Sequence, residues 1–163
     1  MTHRQDGPRH EPEAGAFPED PLSHALYIAA RASASLYRPR LAGLGLTQPQ
    51  FLVLQVLWKH GAVTSQQLGE ELHLDSGTLS PLLRRMEQAG LVSRRRARWD
   101  ERLVEVVATR QAEALREPAR HVAEAVRAER PPLSSAYEDL VRVLYELASP
   151  PQETPDEAPA TAA

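Results

Sequence analysis

The stretch Leu74–Thr109, LDSGTLSPLLRRMEQAGLVSRRRARWDERLVEVVAT, decides the fold. Within it, Leu79, Leu82, Leu83 and Met86 recur at i, i+3, i+4 and i+7, the spacing of one apolar stripe on an α-helix. At about 100° per residue, the opposite side carries Gly77, Thr78, Ser80, Pro81, Arg84, Arg85 and Gln88. Gly90 falls where a helix stop belongs. Arg94, Arg95, Arg96 and Arg98 then surround a short strand, Asp100, Glu101 and Arg102 form a polar turn, and a second strand returns. A helix apolar on one face and small, polar and basic on the other, followed by a basic hairpin, has the pattern of a winged helix-turn-helix.

Working outward, Thr64–Leu72 reads as the first helix of that motif. Thr64 and Gln67 have capping-box spacing, and Leu68 and Leu72 are its buried pair. Thr47–His60 repeats the capping-box spacing with Gln50. Its Phe51, Leu54, Val56, Leu57 and Trp58 make it too apolar for a surface helix, so it is expected in the core. Leu22–Leu41 is a helix whose last turn Pro39 weakens. Pro81 places the start of the recognition helix near Ser76 to Thr78. The wing strands are Val92–Arg98 and Arg102–Ala108. Thr109 caps a helix to about Ala128, bent at Pro118; Pro131 and Pro132 interrupt the chain; Leu133–Ala148 is a last helix striped by Leu133, Tyr137, Leu140, Val141, Leu144 and Leu147.

The expected fold class is therefore mainly α with a small β-wing (α+β). One domain spans 22–148, with a DNA-binding core at about 47–109. Helices at about 22–42 and 110–148 present more apolar surface than one such domain covers, which predicts a homodimer. The proline- and acid-rich ends, 1–21 and 149–163, read as disordered tails.

The chain has 163 residues and no cysteine, which excludes disulfides, thiolate zinc sites and thiol chemistry. Without an apolar run of membrane-spanning length or a secretory signal pattern, a soluble cytoplasmic protein with no membrane partner is expected. The net charge of −3 is unlike that of a nucleic-acid binder, but it averages acidic ends with a basic middle. Arginines 84, 85, 94, 95, 96 and 98 face one acid in that window, Glu87. Binding answers to the local field, not to the total.

The recognition helix is expected to meet the major groove at its N-terminal end. Ser76, Thr78 and Ser80 can donate to phosphates or bases, Gly77 lets the backbone approach, and Pro81 can touch a thymine methyl. Arg84 and Arg85 suit guanine or phosphate equally. Arg94, Arg95, Arg96 and Arg98 favour phosphate or the minor groove, with Arg102 at the wing tip and Asp100 pairing with an arginine to hold it. Two other readings compete. A winged helix used only for protein contacts would leave these arginines as solvated charge. An enzyme has less to recommend it: Ser23 and His24 are helix neighbours pointing about 100° apart, there is no phosphate-binding glycine loop, and the six histidines lack metal-ligand spacing. Neither a cofactor nor a metal is expected.

The run Leu82-Leu83-Arg84-Arg85-Met86-Glu87-Gln88-Ala89-Gly90-Leu91, followed by Asp100-Glu101-Arg102, resembles the recognition helix and wing of MarR-family transcriptional regulators. The stretches from Leu74 to Leu83 and from His24 to Tyr27 are similar to one branch, the OhrR organic-hydroperoxide regulators. The likeness runs from about Leu22 to Thr109, with Ala108 and Ala112 standing where a leucine and a glycine are usual. The resemblance implies a dimeric repressor on an inverted-repeat operator. The branch also implies a reactive cysteine near the start of the first helix, hydrogen-bonded by two tyrosines of the partner subunit. Ser23 matches the cysteine, Tyr37 the first tyrosine and Gln48 the second; Tyr27 is retained. A serine hydroxyl cannot follow the thiol oxidation ladder, so peroxide sensing of that kind is chemically excluded. Three explanations stand: a cysteine-free relative answering to a small organic ligand held by Ser23, Tyr27, Tyr37 and Gln48; a constitutive or partner-regulated repressor; or a Cys→Ser form of a peroxide sensor. Gln48 argues against the last, because a single engineered exchange would leave that tyrosine in place.

Overall fold

Residues 20–97, 103–129 and 137–148 are described by the computed structural model. The elements run α1 (Pro21–Ala42), α2 (Gln48–His60), β1 (Val63–Thr64), α3 (Ser65–Leu72), α4 (Ser76–Gln88), β2 (Val92–Arg96), β3 (Val104–Ala108), α5 (Arg110–Ala114), α6 (Arg116–Glu129) and α7 (Tyr137–Ala148). The strands form one antiparallel sheet in the order β1-β3-β2. The readings for the tails, for Arg98, Asp100 and Arg102 at the wing tip, and for the segment holding Leu133 lie wholly or largely outside the described residues.

Helix ends are set by the expected chemistry. In α2 the Thr47 N–H donates to Gln50 Oε1 at 2.8 Å while the Gln50 N–H donates to Thr47 Oγ1. In α3 the same reciprocal pair joins Thr64 and Gln67. The turn between α3 and α4 is short. His73 adopts the left-handed conformation (φ 51°), and the Leu74 N–H closes back on the Gly69 carbonyl at 2.9 Å. Asp75 then caps α4, accepting from the Thr78 N–H at 2.8 Å and from Thr78 Oγ1 at 3.0 Å. Gly90 (φ 70°) ends α4 with the Leu91 N–H on the Met86 carbonyl, a Schellman closure at the predicted glycine.

The core gathers around α2, whose Phe51, Val53, Leu54, Val56 and Leu57 are all buried. Leu68 of α3, the α4 stripe Leu79, Leu82, Leu83 and Met86, and Val92 and Val106 of the sheet close over it. Tyr37 of α1 packs on Phe51, with ring centroids 5.9 Å apart, so α1 is fastened to the core by its C-terminal half. Gly69 allows α3 and α4 to pack tightly: a Cβ there would sit 2.9 Å from the Leu74 carbonyl oxygen.

The structure corrects several boundaries. Helix α1 begins inside the expected tail, because Asp20 caps it through the Ser23 N–H at 3.0 Å and Pro21 needs no donor in the first turn. Strand β1 was not anticipated: its two residues pair with β3, Val63 opposite Val106 and Thr64 opposite Glu105. β2 ends at Arg96 rather than Arg98. The helix after the wing breaks at Leu115, ahead of the expected bend at Pro118. Pro118 cannot donate to the Ala114 carbonyl and its ring crowds that oxygen, so α5 stops at Ala114 and the proline falls in the first turn of α6. Thr109 caps α5 as expected, accepting from the Ala112 N–H. Pro39 is carried within α1 without ending it.

Two measurements check this architecture. Leu83 is 1% exposed, so Leu83→Ala should lower unfolding free energy in urea by about 2–5 kcal/mol; a loss under about 1 kcal/mol would contradict the packing of α4. The Thr78 backbone and hydroxyl donors hold the Asp75 carboxyl below its ordinary pKa. A pKa lower in the folded than in the unfolded state gives stability that is complete above the unfolded-state value and lost as pH falls through the folded-state value. Against Asp75→Asn, a neutral cap of similar shape, the wild-type advantage in urea midpoint should be present at neutral pH and vanish below the aspartate range. An advantage that persists at acid pH would count against this cap.

Candidate nucleic-acid interface

Burying Leu79, Leu82, Leu83 and Met86 turns the rest of α4 outward. Ser76, Gly77, Thr78, Ser80, Pro81, Arg84, Arg85 and Gln88 are all exposed, as the periodicity predicts. They form one surface along the helix, small and polar near Asp75 and cationic one to two turns later. Ser76 and Ser80 border a cleft of about 400 Å³ shared with Ser65, Gln66 and Glu70 of α3, and both remain exposed. Pro81 lies in the second turn, and its missing N–H frees the Gly77 carbonyl near the exposed end.

The wing extends the cationic surface but does so with internal partners. Arg94 Nε lies 3.6 Å from Glu87 Oε2, joining β2 to α4. Arg95 Nε donates to Glu105 Oε2 at 3.1 Å across the β2–β3 pair. Arg96 is exposed at the end of β2. Sequence reasoning counted Glu87 as the one acid among six arginines and missed Glu105, which lies beyond that window and is brought opposite Arg95 by strand register. It also passed over Asp75 and Gly69, although an aspartate before a helix is a recognisable cap signal.

The four inherited sensor positions are not gathered within one chain. Ser23 is exposed in the first turn of α1, its N–H used in the Asp20 cap. Tyr27 is 60% exposed, its hydroxyl accepting from Arg31 Nη1 at 3.0 Å. Tyr37 lies about 15 Å farther along the same helix, packed on Phe51. Gln48 is half-buried at the start of α2, one turn before Phe51. A cavity of about 750 Å³ lies elsewhere, lined by residues of α2, α3 and β1 and by Tyr145, and none of the four borders it. Among the described residues no group of three or more His, Asp or Glu side chains is placed to hold a metal ion, and no helix is long and apolar enough to cross a membrane.

The surface left uncovered is apolar. Leu22, Leu26, Tyr27 and Ile28 of α1 and Tyr137, Leu140, Val143, Leu144, Tyr145 and Leu147 of α7 are exposed, and no residue of α7 is buried.

A family model described as MarR family matches residues 46–104, from the start of α2 into β3. An organic hydroperoxide resistance transcriptional regulator of Bacillus subtilis (strain 168) is 45% identical over 101 residues, covering 62% of this chain and 69% of that protein. The HTH-type transcriptional regulator MgrA of Staphylococcus aureus is 40% identical over 99 residues, 60% of this chain and 67% of its own. Among solved structures, reduced AbfR of Staphylococcus epidermidis bound to DNA matches with a TM-score of 0.63 at 33% identity, over 77% of this chain and 86% of that one. These relatives are named as regulators rather than enzymes. With the helix-turn-helix and wing in place and a relative of 45% identity covered over more than two thirds of its length, the chain belongs to the MarR family of winged helix-turn-helix transcriptional regulators.

Proposed function

We propose that this chain binds double-stranded DNA as a homodimer at an inverted-repeat operator and represses transcription there, as a cytoplasmic protein without catalytic activity. The outward face of α4 carries the reading: one buried stripe fixes the helix, and the side opposite it is small, polar or cationic, with the acid Glu87 at its edge paired to Arg94. Ser76, Thr78 and Ser80, with Gly77 and Pro81 between them, suit the floor of a major groove. Arg84 and Arg85 reach guanine or phosphate, while Arg94, Arg95, Arg96, Arg98 and Arg102 flank the duplex backbone and minor groove, with Asp100 bracing the wing tip. The DNA-bound state of AbfR supports this use of the fold.

The exposed apolar residues of α1 and α7 are the dimerisation surface, because a monomer leaves them in water. Disulfide-formed AbfR is also known, and the Bacillus relative is named for organic hydroperoxide resistance. This chain has no cysteine, so its release from DNA follows another route. A small-ligand site built from Ser23, Tyr27, Tyr37 and Gln48 requires the partner subunit, since one chain spreads the first three along α1 and carries Gln48 at the start of α2.

Two experiments test this reading. Selection from random duplex DNA should yield an inverted repeat with half-sites one helical turn apart, and Arg84→Ala or Arg85→Ala should weaken binding to it by roughly 1–3 kcal/mol where the side chain reads a base. Loss of affinity with rising salt should be steep; salt-insensitive binding would instead favour a protein-contact module. Sedimentation at micromolar concentration should give a dimer, and a monomer would contradict the mechanism.

A further inference from the structure

Glu105 is the buried charged residue among the described residues, with 9% of the whole residue exposed. It stands on the middle strand β3, opposite Arg95 on β2 and Thr64 on β1. Cross-strand partners share a face, so the carboxylate and the guanidinium lie on the side of the sheet away from fully buried Val106. The two side chains differ in their access to water: Arg95 is 50% exposed and Glu105 12%. A carboxylate taken out of water is costly unless it is paired, and here Arg95 Nε supplies a charge-assisted bond at 3.1 Å. A guanidinium carries five N–H donors in a fixed fork. A bond through Nε leaves the two Nη groups for a further acceptor.

We propose that Glu105 is a positioning residue for DNA binding: it holds Arg95 so that the Nη edge faces outward for a phosphate oxygen. The proposal rests on the DNA-binding reading above and adds a residue to it. Two effects of Glu105 oppose each other. Its negative charge repels phosphate, but Arg95 already compensates that charge, and salt screens the remainder over about 8 Å. Its bond to Arg95 removes in advance the side-chain entropy that a free arginine loses when it binds. Positioning therefore outweighs repulsion, and this predicts the sign of the effect.

The test uses the full chain and its selected operator, with affinity measured by fluorescence anisotropy across a salt series. Arg95→Ala should weaken binding roughly three- to tenfold and flatten the salt slope by about 1. Glu105→Leu should also weaken binding, although it removes a negative charge. Glu105→Gln, which keeps an acceptor for Nε, should restore most of the affinity, and the double variant Arg95→Ala with Glu105→Leu should bind no worse than Arg95→Ala alone. If Glu105→Leu does not fold, Glu105→Thr replaces it, a strand-favouring residue too short to reach Arg95. Binding by the Leu or Thr variant as tight as or tighter than wild type overturns the proposal, because repulsion alone then explains Glu105. An unchanged affinity for Arg95→Ala, or no recovery with Glu105→Gln, overturns it as well. A wild-type chain that selects no DNA at all overturns the functional reading beneath it, a result distinct from these.

Discussion

Four side chains on α4, Leu79, Leu82, Leu83 and Met86, leave water together, and the position of the reading surface depends on that burial. A helix has one rotation about its axis that buries such a stripe. Once it is chosen, Thr78, Pro81, Arg84 and Arg85 turn away from the core, while Ser76 and Ser80 stay exposed beside α3. The orientation is kept at both ends by left-handed residues. His73 closes α3 so that α4 can begin three residues later, and Gly90 closes α4 so that β2 can begin at Val92. Gly69 removes the Cβ that would force the two helices apart. Hydrophobic burial supplies the energy, and these backbone details convert it into direction.

The sequence made legible what depends on near neighbours. The α4 stripe, the capping boxes at Thr47 and Thr64, and the glycine stop at Gly90 are each encoded within about one or two turns of helix, and each stands where periodicity placed it. What escaped depends on distant pairing. A two-residue strand such as β1 carries no periodic signal and exists because Val106 and Glu105 lie beside it. The break at Leu115 is local, but a proline acts on the carbonyl four residues before it, so the disruption precedes Pro118. Glu105 belongs to the same class as β1. Only the β2–β3 register reveals that this acid faces an arginine ten positions earlier.

Charge in this protein is arranged by pairing as much as by composition. The basic window from Arg84 to Arg98 holds one acid in a linear reading, Glu87, yet two of its arginines are paired, Arg94 with Glu87 and Arg95 with Glu105. The first of these pairs is exposed and contributes little to stability, whereas the second holds a buried carboxylate. Their consequence is geometric: the first ties the wing strand to α4, and the second fixes one arginine across the sheet. A wing strand tied to its helix has less conformational freedom left to lose when a duplex is bound.

Ser23 stands where the family resemblance leads one to expect a reactive thiol. The chain is 45% identical to an organic hydroperoxide resistance regulator over 101 residues, yet it contains no cysteine. A thiol can be oxidised and a hydroxyl at the same place cannot. In this structure Ser23 instead lies in the capped first turn of α1, its N–H held by Asp20. Nothing in α2, α4 or the wing depends on that exchange, since α1 is anchored through Tyr37 at its other end. In the proposed dimer the exposed apolar faces of α1 and α7 join the two copies, so a signal that shifts those helices would shift one α4 relative to the other.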